Sequence, residues 1–475
     1  MYQNLVVKEV LEIVNGSLLC GNPEEICGEF AYDTRELKQD GVYIGIKSEK
    51  SDGSIYWEKA FENGAKIVII NDIGIDKQLL KKWEDKTIII VNDSLEALHK
   101  ITVYKREKYG NNLKVIAITG SVGKTSTKDM VANVVSQKFK TLKTNGNYNN
   151  HIGLPLTLLR LKDEEVAVVE MGMNHLGEIR TLTNIAKPDL AIITNIGTSH
   201  IGNLGSRENI LKAKLEILEG MDKKEIIVNN DNDLLYKWAI KNNENDIKIH
   251  RFAIETISKE SKVEVWAENI ELYENSSSFD CHIGDEVFNV TIPVGGVHFV
   301  YNALCAATVG NILGIDVNDI KTGIETFELT KKRMETINLK NDIVLINDAY
   351  NASLESMKAS LKYLEGYKTN RKIAVFGDIF ELGEFAEEMH RKVGEAVAKS
   401  KIDVLICSGE NSKYIVEEAR KENADSKQIY YFDDKDKIVE FLDKNSKQGD
   451  VILFKASNGM KFFDICEKFK EVIGT

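Results

Sequence analysis

A chain of 475 residues is too long for one hydrophobic core, and about three domains is the natural division. Its 43% hydrophobic and 29% charged residues fit a folded globular protein, and no apolar run is long enough to span a bilayer. A net charge of −12 argues against nucleic acid or an anionic membrane as a general partner, while leaving room for a local positive pocket.

The first ninety-odd residues predict a small α/β unit. Val7, Val10, Leu11, Ile13 and Val14 follow a helical pattern that stops near Gly16, with strands at 41–46, 65–70 and 86–91. The start, Met1-Tyr-Gln-Asn, lacks the basic and apolar regions of a secretory signal. The six scattered cysteines lack metal-type spacing and read as reduced thiols of a cytoplasmic protein.

A helix over 94–108 leads to the apolar run Lys114–Thr119, then to Gly120-Ser-Val-Gly-Lys-Thr-Ser126 and a helical pattern through Asp129, Met130, Val131, Val134 and Val135. This strand–loop–helix setting is what a phosphate-cradling loop requires. Glycines let backbone N–H groups close on phosphates, and the helix N-terminus adds its positive end. Lys124 reaches the β/γ-phosphates and the Thr125 hydroxyl is placed for Mg²⁺. Gly120, Ser121, Val122, Gly123, Lys124, Thr125 and Ser126 are therefore the candidate ATP-binding run. Position 118, a glycine in the longer nucleotide loop, is Ile118, so this is the short Gly-x-x-Gly-Lys-Thr form.

The segment 143–155 is dense in Asn and Gly and predicts a loop with many donors; Asn147, Asn149 and Asn150 either decorate a surface or line a substrate cleft. Apolar runs at 166–170, 190–195 and 226–229 alternate with helical patterns, as in a mostly parallel sheet. A more polar, β-rich insert over 263–293 is closed by a helix over about 298–313. From about residue 331 a third α/β unit shows runs at 343–347, 372–376, 404–407 and 451–454.

Ligands of open α/β sheets gather at the carboxyl ends of strands. Those ends carry Thr119 and Gly120, Glu170, Asn195 to His200, Asp348, Asp378 and Lys455. Glu170 is either a Mg²⁺ ligand or a solvated strand end. His200 is a loop histidine, open to a structural or a metal-binding role. Lys214, fourteen positions on in a helical pattern, reads from its own surroundings as a solvated cation.

Taken together, these motifs resemble the Mur ligases, the ATP-dependent amide-forming enzymes of peptidoglycan precursor synthesis. The likeness rests on Thr119-Gly-Ser-Val-Gly-Lys-Thr125, Gly146-Asn-Tyr-Asn-Asn-His-Ile-Gly-Leu-Pro-Leu-Thr157, Glu170-Met-Gly-Met-Asn-His-Leu-Gly-Glu178 and Thr194-Asn-Ile-Gly-Thr-Ser-His200. It extends through Gly296-Val-His-Phe-Val-Tyr-Asn302, Lys332-Arg-Met-Glu335, Asp348-Ala-Tyr-Asn-Ala-Ser353 and Gly377-Asp-Ile-Phe-Glu-Leu-Gly383, with Asp33-Thr-Arg35 near the start. The resemblance implies an α/β protein of three domains. A small N-terminal α/β domain (1–94) would bind the UDP substrate. A central P-loop-type domain (95–329) would hold ATP on a mostly parallel sheet with helices on both faces. A C-terminal Rossmann-like α/β domain (330–475) would receive the amine.

The resemblance further implies a cytoplasmic monomer that uses ATP and Mg²⁺ to join D-alanyl-D-alanine to a UDP-N-acetylmuramoyl tripeptide. Lys124 and Thr125 would hold phosphates and one metal ion with Glu170; His200 and a carbamylated Lys214 would serve a second. Asn302 would face the adenine, Arg333 the γ-phosphate and Asp348 the ribose. Asp33, Thr34 and Arg35, with Asn147, Asn149, Asn150 and Lys455, would contact the other substrates. Two stretches depart from the family pattern: Lys455-Ala-Ser-Asn458 stands for Lys-Gly-Ser-Arg, and Asn351-Ala-Ser-Leu354 for Asn-Ala-Asn-Pro. Both fall in the domain expected to receive the amine. A folate-type ligase is the nearest rival, and a nucleotide switch is disfavoured because no Asn-Lys-x-Asp signature is present.

Overall fold

The computed structural model describes residues 4–48, 51–76, 78–242, 246–254, 263–329, 333–368, 371–423 and 427–474. Lys332 of the resemblance motif, and the expected boundary at residue 330, lie outside the described residues.

Three sheets follow one another along the chain. In the first, Ala65–Asn71 and Thr87–Val91 are runs of β-branched residues buried on both faces, which suits central parallel strands. Gly41–Ile44 and Phe30–Ala31 extend the sheet on one side, and Ser17–Cys20 closes the other edge antiparallel. The helix Val7–Val14 ends where Asn15 adopts a left-handed conformation (φ 52°), a residue that tolerates it. Beside this sheet, the helix Ser94–Tyr109 buries Ala97, Leu98 and Ile101 in a core that also takes Leu156 and Leu159 from the helix Gly153–Leu159. The first and second units therefore share apolar packing.

The second sheet has nine strands. From one edge they run Thr141–Lys143, Val166–Glu170, Lys114–Thr119, Leu190–Ile193, Lys224–Asn229, Ile247–Ala253, Val265–Leu272, Ser277–Ile283 and Glu286–Ile292. All pairs are parallel up to Val265–Leu272, and the last three strands are antiparallel. The β-rich segment expected as an insert thus continues the same sheet, and Ser277–Ile283 alternates buried and half-buried residues as an antiparallel strand should. Chain order reverses on the two sides of Lys114–Thr119, so its carboxyl end is the switch point where such sheets bind ligands. The helices Lys124–Val135 and Val297–Ile312 pack together, while Ser94–Tyr109, Gly153–Leu159 and Glu178–Ala186 form a separate layer.

The third sheet has six strands, in the order Glu335–Asn338, Val344–Asn347, Asp450–Lys455, Arg371–Phe376, Val404–Cys407 and Gln428–Tyr431, parallel except at the first edge. Its core is not isolated. Met334, Leu354, Met357, Ile379 and Leu382 join the same apolar cluster as Ile201 and Leu204 of the second unit.

Candidate active site

A cavity of about 470 Å³ opens where the carboxyl ends of the second and third sheets meet. Its floor is the P-loop. Gly120 (φ +154°) leaves the strand so close to its neighbour that a Cβ there would stand 1.9 Å from Thr194 Oγ1. Gly123 (φ +81°) starts the helix Lys124–Val135 in left-handed backbone, which glycine adopts without strain. Asn195 fixes the loop between these glycines. Its Oδ1 accepts from the Val122 N–H at 3.1 Å and its Nδ2 donates to the Val122 carbonyl at 2.9 Å. Ser121 Oγ accepts from the Gly197 N–H at 2.9 Å.

Lys124 folds back on this loop, donating to the carbonyls of Gly120 at 2.9 Å and Ser121 at 3.3 Å. Lys214 donates to the same Gly120 carbonyl at 2.9 Å from the opposite side. It is 1% exposed, so the solvated cation expected at 214 is in fact a buried one. The helix pattern around it gave no hint of this, because burial comes from the P-loop packed over it. Burial pushes Lys214 well below the usual lysine range, and neighbouring Lys124 adds to the effect. Lys124 is lowered too, chiefly by burial, with Glu170 opposing and Arg333 assisting.

The metal end is built around Glu170. Its carboxylate accepts from Thr125 Oγ1 at 2.8 Å through one oxygen and from Asn149 Nδ2 at 2.8 Å through the other. The Glu170 N–H donates to Thr144 Oγ1 at 3.0 Å, and the buried Lys128 ammonium holds the Thr144 carbonyl at 2.7 Å. Hydroxyl and carboxylate oxygens side by side on a P-loop suit a hard cation whose remaining ligands are phosphate and water. Among the described residues no three His, Cys, Asp or Glu side chains converge as a ready metal cluster. His200 lines the cavity, and its Nδ1 lies against the Glu381 carboxylate of the third unit. The Lys214 nitrogen is engaged with the Gly120 carbonyl.

The opposite wall comes from the third unit. Arg333 Nη2 donates to Thr125 Oγ1 at 2.9 Å, and its guanidinium stacks 4.2 Å from the centre of the Tyr350 ring. Asp348 forms a buried ion pair with Lys455 and accepts from Ser360 Oγ at 2.8 Å. The Lys455 ammonium also donates to the Asn351 carbonyl at 3.1 Å, so this lysine stands on the Asp348 side of the cavity. Glu355 accepts from Thr198 Oγ1 at 3.0 Å across the seam. Asn302 accepts from Thr127 Oγ1 at 2.9 Å beside the P-loop helix. One turn earlier, His298 is pushed down to about 4 by burial, with Asp348 opposing and Lys455 assisting.

Asp378 shows what position alone cannot tell. It ends a parallel strand as Asp348 does, yet its carboxylate accepts from the N–H groups of Asn411 at 3.1 Å and Ser412 at 2.7 Å, capping the helix Ser412–Asn423. The departure at 351–354 is also explained locally. Ser353 caps the helix Leu354–Glu365 by accepting from the Ser356 N–H at 3.2 Å, a role Asn fills equally. Asn458 begins an exposed turn over 458–460, and nothing in the structure explains the loss of the family arginine there.

Asp33, Thr34 and Arg35 lie outside this cavity. Arg35 Nε donates to Asp33 at 2.9 Å, which holds that carboxyl down at about 2, and the Arg35 side chain is otherwise open to solvent. The Asn-rich loop spans the gap: Tyr148 Oη donates to Glu36 at 2.7 Å, while Asn147, Asn149 and Asn150 line the cavity. Tyr148, Glu355, Tyr350 and Glu381 are thus residues at or beside the site that sequence reasoning missed as individuals. The signal within reach was their place beside residues already singled out.

Comparison with known proteins gives a consistent assignment. Residues 118–310 match the Mur ligase middle domain, and 332–458 match the Mur ligase glutamate ligase domain. The UDP-N-acetylmuramoyl-tripeptide–D-alanyl-D-alanine ligase of Bacillus subtilis is 36% identical over 472 residues, covering 98% of each chain. Among solved structures, MurF from Acinetobacter baumannii superposes with a TM-score of 0.85 at 28% identity, over 99% of both chains. MurF from Thermotoga maritima in complex with ADP gives 0.78 at 28% identity, over 94% of this chain and 97% of that one.

Proposed function

This chain belongs to the Mur ligase family, and on that premise we infer that it is an ATP-dependent amide ligase adding D-alanyl-D-alanine to a UDP-N-acetylmuramoyl tripeptide in peptidoglycan synthesis. The observation that carries the reading is the meeting of two sheets on one cavity, where Arg333 of the third unit bonds the P-loop Thr125 of the second.

The terminal carboxylate of the tripeptide attacks the γ-phosphoryl group of ATP, and ADP leaves. The amine of D-alanyl-D-alanine then attacks the acyl phosphate carbonyl, and phosphate is expelled. Lys124 and Arg333 would offset the charge that spreads over the transferring group as it develops. Thr125 and Glu170 would hold Mg²⁺, which supplies further charge neutralisation on the phosphates. His200 would serve a second ion. Lys214 would do so as a carbamate: burial favours its neutral amine, which adds CO₂, loses a proton and becomes an anion beside Lys124. Asn302 would face the adenine, and Asp348 the ribose. Asp33, Thr34 and Arg35 in the unit 1–94 take the uridine nucleotide, the Asn-rich loop carries the peptide, and the unit 330–475, with Lys455, receives the dipeptide. The enzyme acts as a cytoplasmic monomer; no helix of the described residues is long and apolar enough to cross a membrane.

Phosphate release from ATP and Mg²⁺ with UDP-N-acetylmuramoyl tripeptide, with and without D-alanyl-D-alanine, tests this directly. Release that requires both, with a pentapeptide product by mass, is the expected outcome. Release with another amine only would move the specificity, and none with any amine would sink the ligase reading.

A further inference from the structure

Across the seam between the second and third units, two residues other than glycine face each other in left-handed backbone, His200 (φ 63°) and Glu381 (φ 62°). Such conformations cost free energy in L-residues and persist where the surroundings over-determine them. Glu381 is over-determined. Just before it, the Ile379 N–H donates to His390 Nε2 at 3.0 Å, and the buried His390 donates through Nδ1 to the Ala386 carbonyl at 2.6 Å. The Phe380 N–H donates to Ser457 Oγ at 2.9 Å. From the other unit, the Gly202 N–H donates to the Glu381 carbonyl at 3.1 Å. The approach is tight: a Cβ on Gly202 would lie 2.5 Å from the Gly383 nitrogen.

The result is a carboxylate set beside one ring nitrogen. Glu381 Oε2 lies against His200 Nδ1, a buried ring nitrogen that has no well-aligned hydrogen bond among the described residues, while the ring lines the cavity. We propose that Glu381 is a positioning residue for the ligase reaction, whose carboxylate accepts a hydrogen bond from the His200 Nδ1–H and so presents Nε2 to the cavity. The inference rests on the ligase reading above. A histidine whose second nitrogen donates to a carboxylate is fixed in tautomer and ring orientation, and its free nitrogen becomes more basic. Because Glu381 arrives with the third unit, His200 is set only when the two units meet. Closure then completes both walls together, through Arg333 at one end and Glu381 at the other.

The test uses the full-length enzyme and a double-mutant cycle. Glu381→Ala should lower kcat by about 10- to 100-fold with KM for the UDP-tripeptide unchanged, and Glu381→Gln, whose amide oxygen still accepts, should retain more. In a His200→Ala background, Glu381→Ala should cost less than about two-fold more, since the residues act as one unit. Equal losses in both backgrounds would overturn the proposal. ¹⁵N-histidine spectra, with His200 assigned from His200→Gln, give a readout that needs no turnover. The Nδ1–H form is expected in the wild type and its loss in Glu381→Ala; an unchanged tautomer would overturn the positioning role. A wild type that turns over no substrate would count against the ligase reading alone.

Discussion

On the central wall of the cavity, Glu170 bonds both Thr125 and Asn149, and Lys124 bonds the Gly120 carbonyl, all at strand ends of a single sheet. On the C-terminal wall, Arg333, Glu355 and Glu381 reach partners that belong to another sheet: Thr125, Thr198 and His200. The first wall is held in place by bonds within its own domain. The second exists as a wall only while the units touch. On the proposed reading, the central wall carries the hold on the nucleotide phosphates, and the stabilisation of transferring charge is shared with the C-terminal wall.

The comparison can be pressed hardest at Lys124. Lys124→Ala should lower kcat by on the order of 10³-fold, since it removes a preorganised cation from the transferring group; near-normal steady-state turnover would break the assignment. The smallest effect is expected where the Asn-rich loop meets the N-terminal unit. Tyr148→Phe loses one hydrogen bond to Glu36, worth about 1 kcal/mol, and should raise KM for the UDP-tripeptide roughly two- to ten-fold with kcat unchanged. A change in kcat instead would mean that the loop acts on the chemistry and not on substrate capture.

The two walls also differ in how far they could be read from residue order. The P-loop, Glu170 and the parallel runs around them are local patterns. Strand, glycine turn and helix follow within a few residues, and buried parallel strands announce themselves as unbroken apolar runs. Short edge strands such as Ser17–Cys20 and Phe30–Ala31 carry no such run and were not anticipated. Lys214 looked like a solvated helical cation because its burial is set by a loop 94 residues earlier in the chain. Asp348 and Asp378 occupy equivalent strand ends, and only tertiary structure shows that one meets Lys455 at the cavity while the other caps a helix. Glu381 and Glu355 gain their meaning from contacts across two domains, which no local period or spacing encodes.

Arg333→Ala bears most directly on the claim that the third unit completes the site. ADP affinity by calorimetry and kcat by phosphate release should be measured on the same preparation. An arginine that serves the γ-phosphate should leave ADP binding within about two-fold while kcat falls about 10²-fold. Parallel losses in both, or an unchanged kcat, would contradict the division between the two walls.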